Sequence, residues 1–296
     1  MPDTLTTNIA ESVTEIVNAT IALMPQKAPM LSLVTKKNIP KGFDRLEIPR
    51  VNSTSTVQTP TEGDELVVAS QFDLTSTTIQ PTHRALMVRV HERATYFSKD
   101  DVIKLVSEEL SQTQAQDIDT DLTAEFANFG TGNDVGTTNT DLAFSVVKNS
   151  LLLLDQNTRA NGGPAPMPRN LVLAPRAWYD LSTDLGSQGT VPEGTATGQQ
   201  FIPSGLSQEL IENYFRGRIL GVPIFIDGYM TEDGSSDYIC GLFSKQALWL
   251  AIAKDWDMKT FEVPQWIGVI IRSVADYNSG IGGYPLWGSQ ITADGA

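Results

Sequence analysis

The stretch from Ser98 to Gly130, SKDDVIKLVSEELSQTQAQDIDTDLTAEFANFG, is the feature that most limits what this chain can fold into. Val102, Val106, Leu110, Ile118, Leu122 and Phe126 fall at multiples of four, with Leu105 and Phe129 beside the row, and neither Pro nor Gly interrupts them. That spacing predicts one continuous helix over 98–129 with a narrow apolar stripe. Ser98 is placed to cap it, Asp100 and Asp101 suit its N-terminal end, and Gly130 stops it. At ~1.5 Å per residue the rod is roughly 45 Å long. One narrow stripe on so long a rod cannot close a compact bundle, but it suits a helix laid across the back of a sheet.

With 296 residues the chain can bury a substantial core, as one elaborate domain or two. Charged residues make up only 19%, so much of the polar surface must come from Ser, Thr, Asn and Gln, which suits surfaces buried against partners. A net charge of −14 argues against a dedicated nucleic-acid binder. Cys240 stands alone, which rules out an internal disulfide and points to a reducing compartment. No apolar run approaches the ~20 residues of a membrane helix. The first basic residue is Lys27, so the N-terminus does not read as a signal peptide.

In chain order, Ile9, Val13, Ile16, Val17, Ile21 and Met24 predict a helix over 4–24, ended by Pro25 and Pro29. The segment 17–43 carries Lys27, Lys36, Lys37 and Lys41 and no acid, and reads either as a solvated stretch or as an arm on an acidic neighbour. Residues 44–51 alternate as a strand that Pro49 confines to an edge. Between 52 and 82, 12 of 31 residues are Ser or Thr, and extended pieces at 54–59 and 65–72 flank a turn at 60–63. This predicts a long two-stranded arm with too little apolar surface to hold itself down, so that it is either disordered or supported by another subunit. Residues 83–93 alternate as a half-buried strand, with Leu86, Val88 and Val90 on one face and Arg89, His91 and Arg93 on the other.

Past a Gly/Thr/Asn linker, a helix is expected at 141–159, a buried strand at 170–174 and a helix opening at Pro175. A long polar loop spans 186–205, followed by a short helix at 206–215 and an apolar strand, RILGVPIFID, with a Gly-Val-Pro break. The last fifth is strand-rich, with pieces at 237–243, 247–254, 258–263, 266–274 and 284–293, and holds four of the five Trp. These strands and 83–93 each need a sheet to join, which implies an α+β domain backed by the long helix, with a second lobe inserted at about 137–250.

The residues that carry chemistry are sparse. Two histidines and one cysteine nearly exclude Cys/His metal sites, and His83 and His91 lie eight residues apart on one strand. Asp117, Asp119 and Asp121 mimic the start of a calcium loop but lack the Gly that must follow, so they read as a solvated acidic face of the helix. Gly130, Gly132 and Gly136 follow a helix rather than joining strand to helix, and no Gly-x-Ser-x-Gly occurs. No catalytic residue, cofactor or metal site can be assigned, and the chain does not read as an enzyme.

Four stretches in this order carry a resemblance. FDLTSTTIQPTHRALMVRVHERATYFSKDDVIKLVSEELSQTQAQDIDTDLTAEFANFGTG resembles the strand, spine helix and Gly-rich exit of the peripheral domain of tailed-phage major capsid proteins, the Hong Kong 97 type fold. NLVLAPRAWYDLSTDLG is similar to the strand and helix of that family's axial domain, and GRILGVPIFIDGYM to the strand before its hairpin. WIGVIIRSVADYNSGIGGYPLWGSQITA resembles the strands that return to complete the peripheral sheet. Each piece is degenerate; the specificity lies in their order and spacing over nearly the whole chain.

The resemblance implies an N-terminal arm at 1–35 and an extended loop at 36–82 that overlaps a neighbouring subunit. It further implies a peripheral domain at 83–136 and 251–296 and an axial domain at 137–250. Lys36, Lys37, Lys41, Arg45, Arg50, Glu62, Asp64 and Glu65, eight of the charged residues of the loop, are the expected subunit contacts. The implied function is mechanical: pentamers and hexamers close an icosahedral virion shell around double-stranded DNA, with a separate scaffolding protein, a portal and decoration proteins as partners, assembled in the host cytoplasm. The scaffolding segment that opens some members has no counterpart here, so scaffolding is expected to be separate or unneeded. Lysine–asparagine cross-linking, as in some members, would rest only on Lys36, Lys37 or Lys41 with Asn278, and is not expected. The alternatives are an encapsulin shell that holds a cargo enzyme, or a Ser/Thr-rich β hydrolase or adhesion protein.

Overall fold

The computed structural model describes residues 28–51, 74–91, 101–129, 132–187, 215–230, 232–263 and 268–295, together with Thr59 and Glu62. The expected helix at 4–24, the Ser98 cap, most of the hairpin arm, the bulk of the 186–205 loop and the helix at 206–215 lie outside them.

The described elements are α1 (Met30–Leu33), β1 (Thr35–Asn38), β2 (Leu46–Val51), β3 (Leu74–Ile79), β4 (Thr82–His91) and α2 (Asp101–Ala124). They continue with β5 (Asp134–Gly136), α3 (Phe144–Gln156), β6 (Arg169–Leu173), α4 (Pro175–Ser187), β7 (Phe215–Ile219) and β8 (Val222–Ile226). Last come β9 (Tyr238–Ser244), β10 (Leu248–Val263), β11 (Gly268–Ile281) and β12 (Gly288–Ala293). They build a four-stranded sheet β1-β10-β11-β4, a six-stranded sheet β5-β12-β9-β6-β8-β7 and a two-stranded β2-β3 ribbon.

The long helix serves both large sheets. Near its start, Leu110 and Val106 pack on Ile271 of β11 and on Leu86, Val88 and Val90 of β4, the face that strand alternation predicts. One turn on, the Gln114 amide donates to Ser273 Oγ at 2.9 Å, a buried polar tie between helix and sheet. Beyond Ala124 the expected helix tightens into a 3-10 turn, Glu125–Asn128, where Phe126 stacks on Phe129 and both rings lie tilted against Phe243 of β9, with centroids 5.4 Å apart for Phe126–Phe243. Between these anchors Ala115, Ile118 and Leu122 join the main core with Met30 of α1.

Several expectations need correction. The apolar stripe of α2 is wider and more polar than its sequence spacing shows: Ser107, Ser111, Gln114, Asp119 and Thr123 are buried beside it, whereas Leu105 is 62% exposed. The hydroxyls pay little for burial because Ser111 and Thr123 donate to helix carbonyls three residues back. Asp119 is not on a solvated face, and Asp117 and Asp121 are tied to Arg84 of β4. Residues 28–34 are not a solvated stretch either: Ala28, Met30, Leu31, Leu33 and Val34 are buried in the main core.

The strands differ in detail too. The expected pieces at 247–254 and 258–263 form one strand, β10, with register shifts between Ile252 and Asp257 where the sequence reads as a break. The Asp255 carboxylate accepts the Trp256 N–H there, an alternative partner for the backbone amid the shifted ladder. RILGVPIFID is the turn and second strand of a hairpin, because Leu220 and Gly221 both take positive φ, 51° and 84°. The boundary expected at 250/251 falls inside β10, and β12, expected in the sheet that carries β4, pairs instead with β9 and β5. Its apolar Ile291 and Ala293 face the main core, and Ser289 Oγ donates to Asn133 O at 2.6 Å, which hold the C-terminal strand in the six-stranded sheet.

Candidate subunit-contact surfaces

The β2–β3 ribbon leaves the body along a gradient of burial. At its root, Ile48 and Ile79 pack with Ile39, Ala251, Leu46 and Trp249, and Ile79 lies on Gly280, where a Cβ would come within 2.9 Å of it. At its outer end, Val51 pairs with Leu74, and both are exposed, at 38% and 57%. Among the described residues the ribbon has two strands, and an exposed apolar pair on it is surface that a partner can cover. Pro49 sits on this two-stranded ribbon, as its missing donor requires.

Five of the eight expected contact residues lie on β1, β2 and the connection between them. Lys36 and Lys37 lie on β1, the edge strand of the four-stranded sheet, with Lys36 opposite Leu250 and Lys37 opposite Ala251. Partial burial holds the Lys36 amine below its ordinary pKa, with Asp255 opposing the shift and Lys245 adding to it. Lys41 is exposed in the turn between β1 and β2. Arg45 pairs with Glu47 at 3.2 Å, both exposed, and so contributes little to stability by itself. The Arg50 guanidinium lies 5.6 Å from the centre of the Tyr284 ring, whose hydroxyl donates to Val51 O at 2.7 Å. Glu62 is exposed; Asp64 and Glu65 lie outside the described residues. Asn278 donates to Gln80 O at 2.9 Å.

Sequence reasoning missed an open cleft of about 500 Å³ between the ribbon root and the loop that follows β11. Its walls include Trp249, Tyr284 and Trp287, with Arg50 and Lys245 also lining it. The glycine pattern was the available signal: a Cβ at Gly282 or Gly162 would fall 2.2 Å from the rings of Trp249 or Tyr284. The indole N–H groups donate to Gln246 O and Gly163 O, so the rings are fixed and their polar groups satisfied. Such a surface presents apolar faces edged by positive charge. Among the described residues no group of three His, Cys, Asp or Glu side chains converges as a metal site would need. His83 pairs with Asp276 at 2.5 Å, at the opposite end of β4 from His91.

No protein-family model matches this sequence, and no curated protein matches it either. Solved structures do. The capsid of cyanophage P-SCSP1u superposes with a TM-score of 0.62 at 14% identity, covering 88% of this chain and 86% of that one. The head structure of Helicobacter pylori bacteriophage KHP40 gives 0.64 at 10% identity, covering 91% of both chains. This is the fold of tailed-phage major capsid proteins. The holo-SrpI encapsulin complex from Synechococcus elongatus has it as well, with a TM-score of 0.62 at 10% identity over 90% of this chain and 87% of that one. The phage capsid fold thus spans about nine-tenths of this chain, strands and helices together.

Proposed function

We propose that this chain is the subunit of a closed protein shell, a major capsid protein that forms pentamers and hexamers around packaged double-stranded DNA. The observation that carries this reading is the end-to-end match to shell-forming chains, since the likeness covers whole chains on both sides rather than one shared module. The ribbon that sheds its burial toward Val51 and Leu74, and a cleft edged by Arg50 and Lys245 on a chain of net charge −14, are the surfaces such assembly would use. A negative container also avoids holding its genome tightly. Its work is mechanical rather than catalytic, and stability under outward pressure comes from extensive subunit contact.

In this reading residues 1–35 are the arm and 36–82 the loop that overlaps a neighbour, although 28–34 and β1 also belong to the subunit's own core and sheet. Residues 83–129 with β10 and β11 form the peripheral part, and 132–244 with β12 the axial part. Scaffolding, portal and decoration proteins are its partners, the virion its location and the host cytoplasm its place of assembly. An encapsulin-type compartment is the second reading, favoured by the comparable match to the SrpI shell. Nucleic acid or a cargo enzyme inside isolated particles separates the two.

Replacing Ser55–Ser70 by a short Gly-containing turn tests the role of the ribbon. The variant is expected as soluble subunits or small capsomers with near-native circular dichroism that close no stable shells. Normal shells would contradict the reading, and a globally unfolded variant would mean that the arm belongs to the core.

A further inference from the structure

Asp119 and Asp227 are two carboxyl groups sealed in the protein interior, 0% and 1% exposed. Asp119 lies toward the C-terminal end of α2, and Asp227 follows β8, where its own N–H donates to Leu173 O at 3.0 Å. Both lie where three parts of the chain are fastened. Met30 of α1 is fully buried in the core that α2 helps to form. Thr123, one turn beyond Asp119, shares its hydroxyl proton between Thr120 O at 3.1 Å and Tyr229 O at 3.3 Å, which places the Asp227–Met230 loop against the helix. The Tyr229 N–H in turn donates to Asp227 Oδ1 at 2.9 Å.

We propose that Asp119 is a proton lock at this junction: while it is protonated, residues 28–34 and the loop after β8, which carries Asp227, stay seated on the long helix, and they loosen when the proton leaves. Burial pushes the pKa of Asp227 up, but the Tyr229 N–H on one of its oxygens opposes that push. Asp119 has no well-formed donor: the Met30 amide points toward it, but neither Asp119 oxygen completes a hydrogen bond. A carboxylate there would be buried, unpaired and beside a second carboxylate, so Asp119 carries the proton. Burial first, and Asp227 second, push its pKa up to about 9. Of the titratable groups on the elements around α2, Asp227 is the one that acts on Asp119; Arg84 and Tyr277 engage Asp117 and Asp121 instead. Loss of the proton to solvent leaves two like charges at the junction, and relief comes by admitting water between α1, the loop and α2.

The native state binds a proton that the unfolded chain releases in the ordinary carboxyl range. The stability tied to it is therefore complete below that range and falls as pH rises toward about 9. Asp119→Asn keeps the shape and removes the ionisation. Thermal unfolding of the unassembled chain and this variant, compared from about pH 5 to pH 8, should diverge by about tenfold in the folding equilibrium per pH unit, with D119N the more stable at the alkaline end. Parallel curves for the two proteins would overturn the proposal. So would added Ca²⁺ raising the melting point of wild type alone, since a cation rather than a proton would then bridge the pair. Should D119N not fold, hydrogen exchange of wild-type residues 28–34 decides. Exchange that outruns the intrinsic base-catalysed increase as pH passes about 9 supports the lock, and exchange that only follows it refutes it. The test uses single subunits, so its outcome does not depend on whether the chain builds shells.

Discussion

The packing of Phe126 against Gly241 makes a prediction in which two damaging substitutions repair one another. Phe126 is fully buried where α2 ends, with ring centroids 5.8 Å from Phe129 and 5.4 Å from Phe243. A Cβ added at Gly241 would fall 2.8 Å from its ring. Phe126→Ala should destabilise by about 3–5 kcal/mol through the cavity and lost ring contacts, a large share of a typical ~5–15 kcal/mol. Gly241→Ala overpacks the same spot and should cost about 1–3 kcal/mol. In the double variant the ring is gone, so the new methyl meets no clash and fills part of the hole. The Gly241→Ala penalty should then vanish or become a small gain, giving a coupling of about 1–3 kcal/mol. Urea unfolding of the four proteins by circular dichroism, at concentrations where sedimentation shows single subunits, measures it. Penalties that add within about 0.5 kcal/mol would refute the contact, and with it the seating of α2 on the six-stranded sheet.

Leu110→Asp places a charge between α2, Ile271 and the inner face of β4, at a position 1% exposed. It should cost several kcal/mol and yield insoluble or unfolded protein; a soluble variant with wild-type melting would contradict the packing of helix on sheet (an unpaired buried charge costs at least ~2 kcal/mol). Cys240 is fully buried and its thiol is pushed up to about 12, against a weaker opposing pull from the Ala174 N–H. Iodoacetamide at neutral pH should leave the folded chain unlabelled and modify one thiol after unfolding; rapid labelling of native protein would show that β9 is not sealed.

How much of this was legible in the sequence follows from what each residue type can signal. The row Leu110, Ile118, Leu122 and Phe126 announced the long helix and its buried side, because apolar side chains at helical spacing have one economical use. The Leu86–Val88–Val90 alternation gave the strand face that meets it. The other buried side of the helix was not readable: Ser107, Ser111, Gln114, Asp119 and Thr123 look solvated until the elements that cover them are known. Asp119 is the sharpest case, since a carboxylate in a run of acids reads as surface until α1 and the loop after β8, both distant in sequence, pack on the helix. The pairing of β12 with β9 rather than beside β11 is likewise long-range, because two adjacent apolar strands can serve either sheet. Of the expected contact residues, Lys36, Lys37 and Arg50 are gathered near one ribbon root, while the aromatic cleft beside them went unseen because Trp249, Tyr284 and Trp287 converge from separate turns.

Shell formation is the central claim, and electron microscopy of the purified full-length protein, alongside sedimentation, tests it most directly. The proposed function predicts closed particles of uniform diameter with capsomers visible on their surface. A chain that stays monomeric when concentrated, at neutral pH and in crowding agent, and yields no particles from the cells that express it, would contradict it.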